Sequence, residues 1–65
     1  MTVEEGRPWV GDEVMEGRTR AVVTDVRDGV LWLRRVQGGH EWPAQDPERL
    51  TVLRTRAQRI AAGEA

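Results

Sequence analysis

Few side chains of this sequence can do covalent or acid–base chemistry. The chain contains no Ser, Cys, Lys or Tyr, so its possible nucleophiles are five threonines and the carboxylates. The single histidine, His40, has no cluster of acids around it, and a zinc site there would lack ligands. Two close carboxylate pairs, Asp12 with Glu13 and Asp25 with Asp28, fall in predicted turns and on solvated strand faces, where turn geometry favours Asp. We therefore expect a protein without enzymatic activity, metal or cofactor.

The aromatic and basic residues favour binding over catalysis. The stretch LWLRRVQGGHEW, residues 31–42, holds two of the three tryptophans, two adjacent arginines and the histidine. An exposed Trp is favoured at protein-binding hot spots, and Trp32 is predicted on a solvated sheet face. The alternative is that a bulge or the C-terminal helix covers it. The candidate contacts for a protein partner are Trp32, Arg34 and Arg27 on the sheet, with Arg56 and Ile60 on the tail as a second possibility.

A nucleic-acid interface is the second hypothesis. Arginines are concentrated in residues 18–39 and 49–65, whereas acids dominate 1–17 and 40–48, and the net charge is -1. A concentrated basic face, which nucleic-acid binding requires, forms only if the fold brings the two basic segments together. Its residues would be Arg18, Arg20, Arg34, Arg35, Arg54 and Arg56. A third hypothesis is a self-associating structural protein that buries Trp32 and the tail helix between copies.

The length of 65 residues allows one small domain with a modest core. No apolar run approaches the ~20 residues of a membrane span, and the acidic N-terminus lacks the apolar segment of a secretion signal. We therefore expect a cytoplasmic protein without membrane contact. Residues 1–7 are expected to be flexible, residues 8–54 to form the domain, and residues 55–65 to form a short helical or frayed tail.

Alternating apolar residues between turn signals predict short β-strands. Asp28-Gly29 lies between two such runs and is a strong signal for a type I′ hairpin turn, and Gly38-Gly39 predicts a second two-residue turn. These loop lengths fix the register of both hairpins. The predicted pairs are Val26 with Leu31, Thr24 with Leu33, Arg35 with Trp42, and Leu33 with Ala44.

Strand alternation then assigns the two faces of the sheet. The predicted core face carries Val22, Thr24, Val26, Leu31, Leu33, Trp42 and Ala44. The predicted outer face carries Asp25, Arg27, Trp32, Arg34, Val36 and Glu41, with Arg34 between the two acids. Val23 falls on the outer face under strict alternation, so we expect a bulge in this strand. Trp9 and Trp42 are expected in the core, with Arg35 stacked on Trp42.

The C-terminal third of the sequence predicts three short elements. Pro47 indicates a single 3₁₀ turn, followed by a strand over residues 50–53. In the tail, Thr55 and Gln58 match a capping box, and Gly63 suits the position after a helix end. The apolar stripe of this helix consists of Ala57, Ile60 and Ala61.

The sequence VGDEV at 10–14 followed by RAVVTDV at 20–26 resembles the opening of the KOW and Tudor-like branch of SH3-like small barrels. That branch has a G-D-x-V strand, a loop and a G-x-V-x-x-V strand. Ala21 stands where the family usually has Gly, and Val23 and Val26 take its apolar positions. The resemblance covers residues 9–54 and implies a small barrel of about five strands; RNA or ribosome contact, which it would also imply, is weakened by Ala21.

Overall fold

The computed structural model describes residues 7–64, and this part of the chain is mainly β. One antiparallel sheet has the strand order β4-β3-β2-β1-β5. Its strands are β1 (Glu13–Glu16), β2 (Thr19–Arg27), β3 (Val30–Arg35), β4 (Glu41–Pro43) and β5 (Thr51–Arg54), with a 3₁₀ helix at Pro47–Arg49 and a C-terminal helix α1 at Arg56–Ala61. The predicted mainly β class with five strands, a 3₁₀ turn and a short C-terminal helix is confirmed.

The SH3-like assignment stays a prediction, since this strand order alone does not distinguish the family. The flexible N-terminus was expected over residues 1–7; residues 1–6 lie outside the described residues, as does residue 65.

The first hairpin forms as its turn residues predict. Asp28 and Gly29 both have positive φ, at 52° and 79°, as a type I′ turn requires. Asp is one of the few side chains that tolerate this conformation. The turn sets Val26 opposite Leu31, which confirms that part of the register.

A bulge at Thr24 changes the register farther from the turn. Leu33 pairs with Val23, so the predicted pairing of Thr24 with Leu33 is wrong. The extra residue reverses the alternation of faces, which explains why Val23 is buried while Val22 and Thr24 are only half-buried and lie outside the core. The expected bulge is confirmed, but Val22 and Thr24 were wrongly placed in the core.

The second hairpin has a longer loop than two residues. Leu33 pairs with Trp42 and Arg34 with Glu41, so the predicted pairs Arg35 with Trp42 and Leu33 with Ala44 are wrong. The Gly38 N–H donates to the Arg35 carbonyl at 2.8 Å, closing a turn just after β3 that the Gly-Gly pair alone did not indicate. The observed register differs from the predicted one by two residues, so each side chain of β4 stays on its predicted face of the sheet. Trp42 therefore still packs against the core.

The core lies on the concave side of the sheet. Its buried residues are Val14, Ala21, Val23, Leu31, Leu33, Ala44 and Leu50, with Val26, Trp42 and Val52 packed against them. Ala21, the third residue of β2, is completely buried.

Glu16 joins strands that are not neighbours in the sheet. Its carboxylate accepts hydrogen bonds from the Trp42 indole at 2.8 Å and from the Gln45 backbone N–H at 3.1 Å. In a flat sheet β1 and β4 would stand three strand spacings apart, about 14 Å. A glutamate side chain cannot reach a backbone N–H across that distance, so the bond to Gln45 shows that the chain just after β4 approaches β1.

Helix α1 has the caps expected from the sequence. The Thr55 hydroxyl accepts from the Gln58 N–H, and the Gln58 side chain accepts from the Thr55 N–H, which completes the capping box. At the other end Gly63 has φ 82°, and the Glu64 N–H bonds to the Arg59 carbonyl in a Schellman motif. The predicted apolar stripe does not dock on the sheet, because Ala57, Ile60 and Ala61 are all exposed.

Candidate functional site

The outer sheet face around Trp32 is occupied by the chain's own side chains. The Arg27 guanidinium lies over the Trp32 ring, 4.5 Å from its centroid. Arg27 also forms ion pairs with Asp25 at 2.7 Å and with Glu41 at 2.9 Å. Arg34 was predicted between these two acids; it pairs with Glu41 in the strand register, but the side chain that bridges the two acids is Arg27. Asp25 and Arg27 are two residues apart on one strand, so their side chains share a face and meet directly.

The hydrogen bonds and ion pairs around Arg27 lower the pKa values of both carboxylates, Asp25 and Glu41. Hydrogen bonds from Arg27 and from the Val26 N–H lower the pKa of Asp25 below its usual value. Hydrogen bonds from Thr24 and Arg27 lower the pKa of Glu41. Trp32 is half-buried, and one face of its ring is already paired with a cation. A new ligand on that face would have to displace Arg27 from two carboxylates.

Glu13 is a buried carboxylate between two arginines. Only 2% of its side chain is exposed, and it accepts hydrogen bonds from Arg54 Nε and Arg20 Nε, both at 2.8 Å. The hydrogen bond from Arg54, aided by Arg20, lowers the pKa of Glu13. Asp12 is buried as well. The expectation that this acid pair is solvated is wrong, because Glu13 is covered by Arg20 on the neighbouring strand β2 and by Arg54 on β5, which is far away in sequence.

The predicted basic patch is only partly assembled. Register places Arg34, Val22, Glu13 and Arg54 in one row across the outer face, with Arg20 close by. Arg20 and Arg54 are both paired with Glu13, and Arg54 is also paired with Glu64. Arg34 and Arg35 are adjacent in β3 and point to opposite faces. The arginines thus meet around carboxylates and do not form a continuous basic surface.

Trp9 is the most exposed large apolar side chain among the described residues, at 61%. Its expected place in the core is wrong. Trp9 begins a tight turn in which the Asp12 N–H donates to its carbonyl at 3.0 Å, and its own N–H donates to the Asp12 carboxylate at 3.0 Å. Gly11, at φ 95°, supplies the conformation that this turn needs, and its N–H bonds to the Val23 carbonyl at 2.8 Å. The backbone is fixed on β2 while the indole remains in solvent.

Two grooves meet at Trp9. The larger has a volume of about 680 Å³ and the smaller about 380 Å³. Side chains from the loop, the first hairpin and the 3₁₀ helix line the larger groove: Arg7, Pro8, Trp9, Val26, Leu31, Asp46, Pro47, Glu48 and Leu50. The smaller groove separates the loop from α1 and is lined by Trp9, Val10, Asp12, Thr55, Arg56 and Ala57. We call Trp9 with these two grooves the Trp9 surface.

The tail residues predicted as a second contact site are close to this surface. Arg56 and Ala57 line the smaller groove, and Ile60, one turn along α1 from Ala57, is 48% exposed. The sequence pattern missed Trp9 as a surface residue. The signal that could have revealed it is the spacing Trp-Val-Gly-Asp, in which Gly and Asp after an aromatic residue indicate a turn.

Within residues 7–64, no group of three or more His, Cys, Asp or Glu side chains is arranged to hold a metal ion. The same part of the chain contains no helix with the length and apolar character needed to cross a membrane. Comparison with protein-family models, with curated proteins and with solved structures finds no match to this chain.

Proposed function

We propose that this chain is a non-enzymatic interaction module that binds a segment of a partner protein at the Trp9 surface. The observation that carries this proposal is a tryptophan 61% exposed on a fixed backbone between two grooves. Burying a Trp side chain removes a large apolar area from water, which is why Trp is enriched at interface hot spots. A fixed backbone lowers the entropic cost of that contact.

The larger groove favours a segment that is both apolar and basic. Its floor is apolar, through Val26, Leu31 and Leu50, and two of its three charged residues are acids, Asp46 and Glu48. The Glu48 side chain is exposed and has no hydrogen bond or ion pair within the described residues. A partner with an apolar side chain for the groove and an Arg or Lys for this acidic rim complements both features.

Two further observations favour this surface over the outer face and over nucleic acid. Trp32 already stacks with Arg27, and its neighbouring charges are compensated by Asp25 and Glu41. The central arginines of the predicted basic patch, Arg20 and Arg54, are paired with Glu13. Phosphate binding would compete with those ion pairs. The outer face and the remaining arginines are the alternatives that the experiment distinguishes.

A peptide-selection experiment tests the proposal. Random 12-residue peptides displayed on phage are selected on the immobilised full chain and counter-selected on Trp9→Ala. We expect enrichment of peptides that combine apolar residues with Arg or Lys, and Trp9→Ala should weaken a synthesised winner by at least about tenfold, typical of a hot-spot residue. Val36→Ala is the matched control, because Val36 is 47% exposed but lines neither groove.

Three results would overturn the proposal. One is that no peptide is enriched. Another is that the winner binds Trp9→Ala as tightly as the wild type but is lost on Trp32→Ala, which would move the site to the outer face. The third is that mixed-sequence oligonucleotides bind in a salt-dependent way and compete with the winner.

A further inference from the structure

Helix α1 is attached to the sheet mainly through charged and polar groups. None of its residues is buried. At its start the Arg56 N–H donates to the Asp12 carboxylate at 2.8 Å, and the Arg59 guanidinium donates to the Gly11 carbonyl at 2.6 Å. The aliphatic part of Arg56 packs on Gly11, where no Cβ could fit.

The end of α1 is held by a bidentate ion pair. Glu64 follows the Schellman glycine, and both of its oxygens accept from Arg54 on β5 at 2.6 Å. Arg59 lies 3.7 Å from the same carboxylate. Arg54 in turn contacts the buried Glu13, so the helix end is connected to the centre of the outer face by a chain of three charges. Bidentate Arg–carboxylate pairs are the strongest of the common ion pairs.

Six helical residues are too few to persist as a helix in water without such contacts. Losing the attachment therefore means losing the helix, while the core, which contains no residue of α1, is retained. Ala57 and Arg56 form one wall of the smaller groove beside Trp9. Releasing α1 removes that wall.

We propose that residues 55–64 form a charge-held latch that opens without unfolding of the sheet and thereby regulates binding at the Trp9 surface. The regulatory part of this inference rests on the proposed function. The apparent affinity for a partner is then proportional to the fraction of molecules in which the latch is closed, because only that state presents the complete surface.

Amide hydrogen exchange on the full chain tests the latch without any partner. In Glu64→Gln, which removes the charge that Arg54 holds, the protection of the helical amides of Arg59 and Ala62 should fall about threefold to tenfold. The amides of Val23 and Leu33 in the core should not change. Asp28→Asn is the matched control, because Asp28 is an exposed acid in a turn whose conformation Asn also adopts.

Two exchange results would overturn the latch. Helical amides that keep their protection in Glu64→Gln would show that the ion pair does not hold α1. Helical and core amides that lose protection together would show that α1 opens only when the whole domain unfolds.

Glu64→Arg tests the regulation, since it places a third cation beside Arg54 and Arg59. We expect the NMR signals of its helix to shift toward the values of a disordered chain, and the size of that shift gives the fraction of molecules with a closed latch. The Kd of the selected peptide should rise in inverse proportion to that closed fraction. An open latch with an unchanged Kd would overturn the regulation and leave the proposed function intact. If no peptide binds the wild type at Trp9, the proposed function and the regulation fail together, and the exchange data alone decide whether the latch exists.

Discussion

Glu16 is the side chain that connects β1 to the far edge of the sheet, and Glu16→Ala removes both of its hydrogen bonds. The Trp42 indole N–H and the Gln45 backbone N–H would lose their acceptor. Trp42 is half-buried, so water reaches its N–H incompletely, whereas Gln45 is exposed and can bond to water instead. Losing the hydrogen bond to Trp42 should therefore cost more stability than losing the one to Gln45.

Hydrogen bonds to charged groups contribute about 1.5–3 kcal/mol each when they are shielded, and exposed ones contribute less. We expect Glu16→Ala to lower the free energy of unfolding by about 2–4 kcal/mol, most of it from Trp42. A domain of this size has a total stability of roughly 3–10 kcal/mol. The variant should thus melt about 8–32 °C below the wild type, since each kcal/mol shifts Tm by about 4–8 °C.

Urea unfolding followed by tryptophan fluorescence measures this loss. Glu16→Gln keeps one oxygen that can accept from the indole, so it should lose about half as much as Glu16→Ala. Glu48→Ala removes an exposed carboxylate without a side-chain partner in the described residues, and should stay within about 0.5 kcal/mol of the wild type. If Glu16→Ala were no less stable than Glu48→Ala, the sheet would keep its curvature without this carboxylate, and the reasoning would be refuted.

Three further predictions concern the core, the buried carboxylate and the loop that presents Trp9. Leu33→Ala should lower the free energy of unfolding in urea by about 2–5 kcal/mol, because Leu33 is completely buried, whereas Leu53→Ala, at a 40% exposed position, should cost less than about 1 kcal/mol. The pKa of Glu13 is lowered in the folded state, so its contribution to stability is present above the unfolded pKa near 4.5 and is lost as the pH falls through the folded pKa. In thermal melts from pH 6 to 3, the Tm of Glu13→Gln should therefore fall less steeply with pH than the Tm of the wild type. An equal dependence of Tm on pH would contradict the ion-paired state of Glu13. Gly11→Ala should lower Tm more than Gly17→Ala in the same melts, because a Cβ at Gly11 would lie 2.5 Å from Arg56 Cδ, whereas a Cβ at Gly17 would meet open space. Equal decreases in Tm would mean that the close contact between Gly11 and Arg56 does not affect stability.

The sequence predicted the locally determined parts of this fold. The Asp28-Gly29 turn, the capping box at Thr55 and the 3₁₀ turn at Pro47 depend on residues within a few positions of one another, and all three are present. Their conformations follow from the backbone preferences of Gly and Pro and from short side chains that bond to nearby N–H groups. Tertiary packing reinforces these choices without changing them.

The candidate site was predicted less well because it depends on long-range contacts. A chain without Phe or Tyr is expected to fill its core with its large side chains, and on that ground the sequence predicts Trp9 inside. The core is completed instead by Leu50, just before β5, with Val52 of β5 packed against it, and the turn at Gly11 holds Trp9 outside. Glu13 was assigned to solvent because its partners, Arg20 and Arg54, meet only in the folded sheet.

The most direct test of the Trp9 surface is a ¹H–¹⁵N NMR titration of the full chain with the selected peptide. The three indole N–H signals report on three environments: Trp9 is exposed, Trp32 is stacked with Arg27, and Trp42 is bonded to Glu16. Binding at the Trp9 surface predicts that the Trp9 indole and the backbone amides of Leu31 and Glu48 shift together, while the other two indoles remain in place. A shift of the Trp32 indole with the amides of Arg27 and Arg34, and a stationary Trp9, would contradict it.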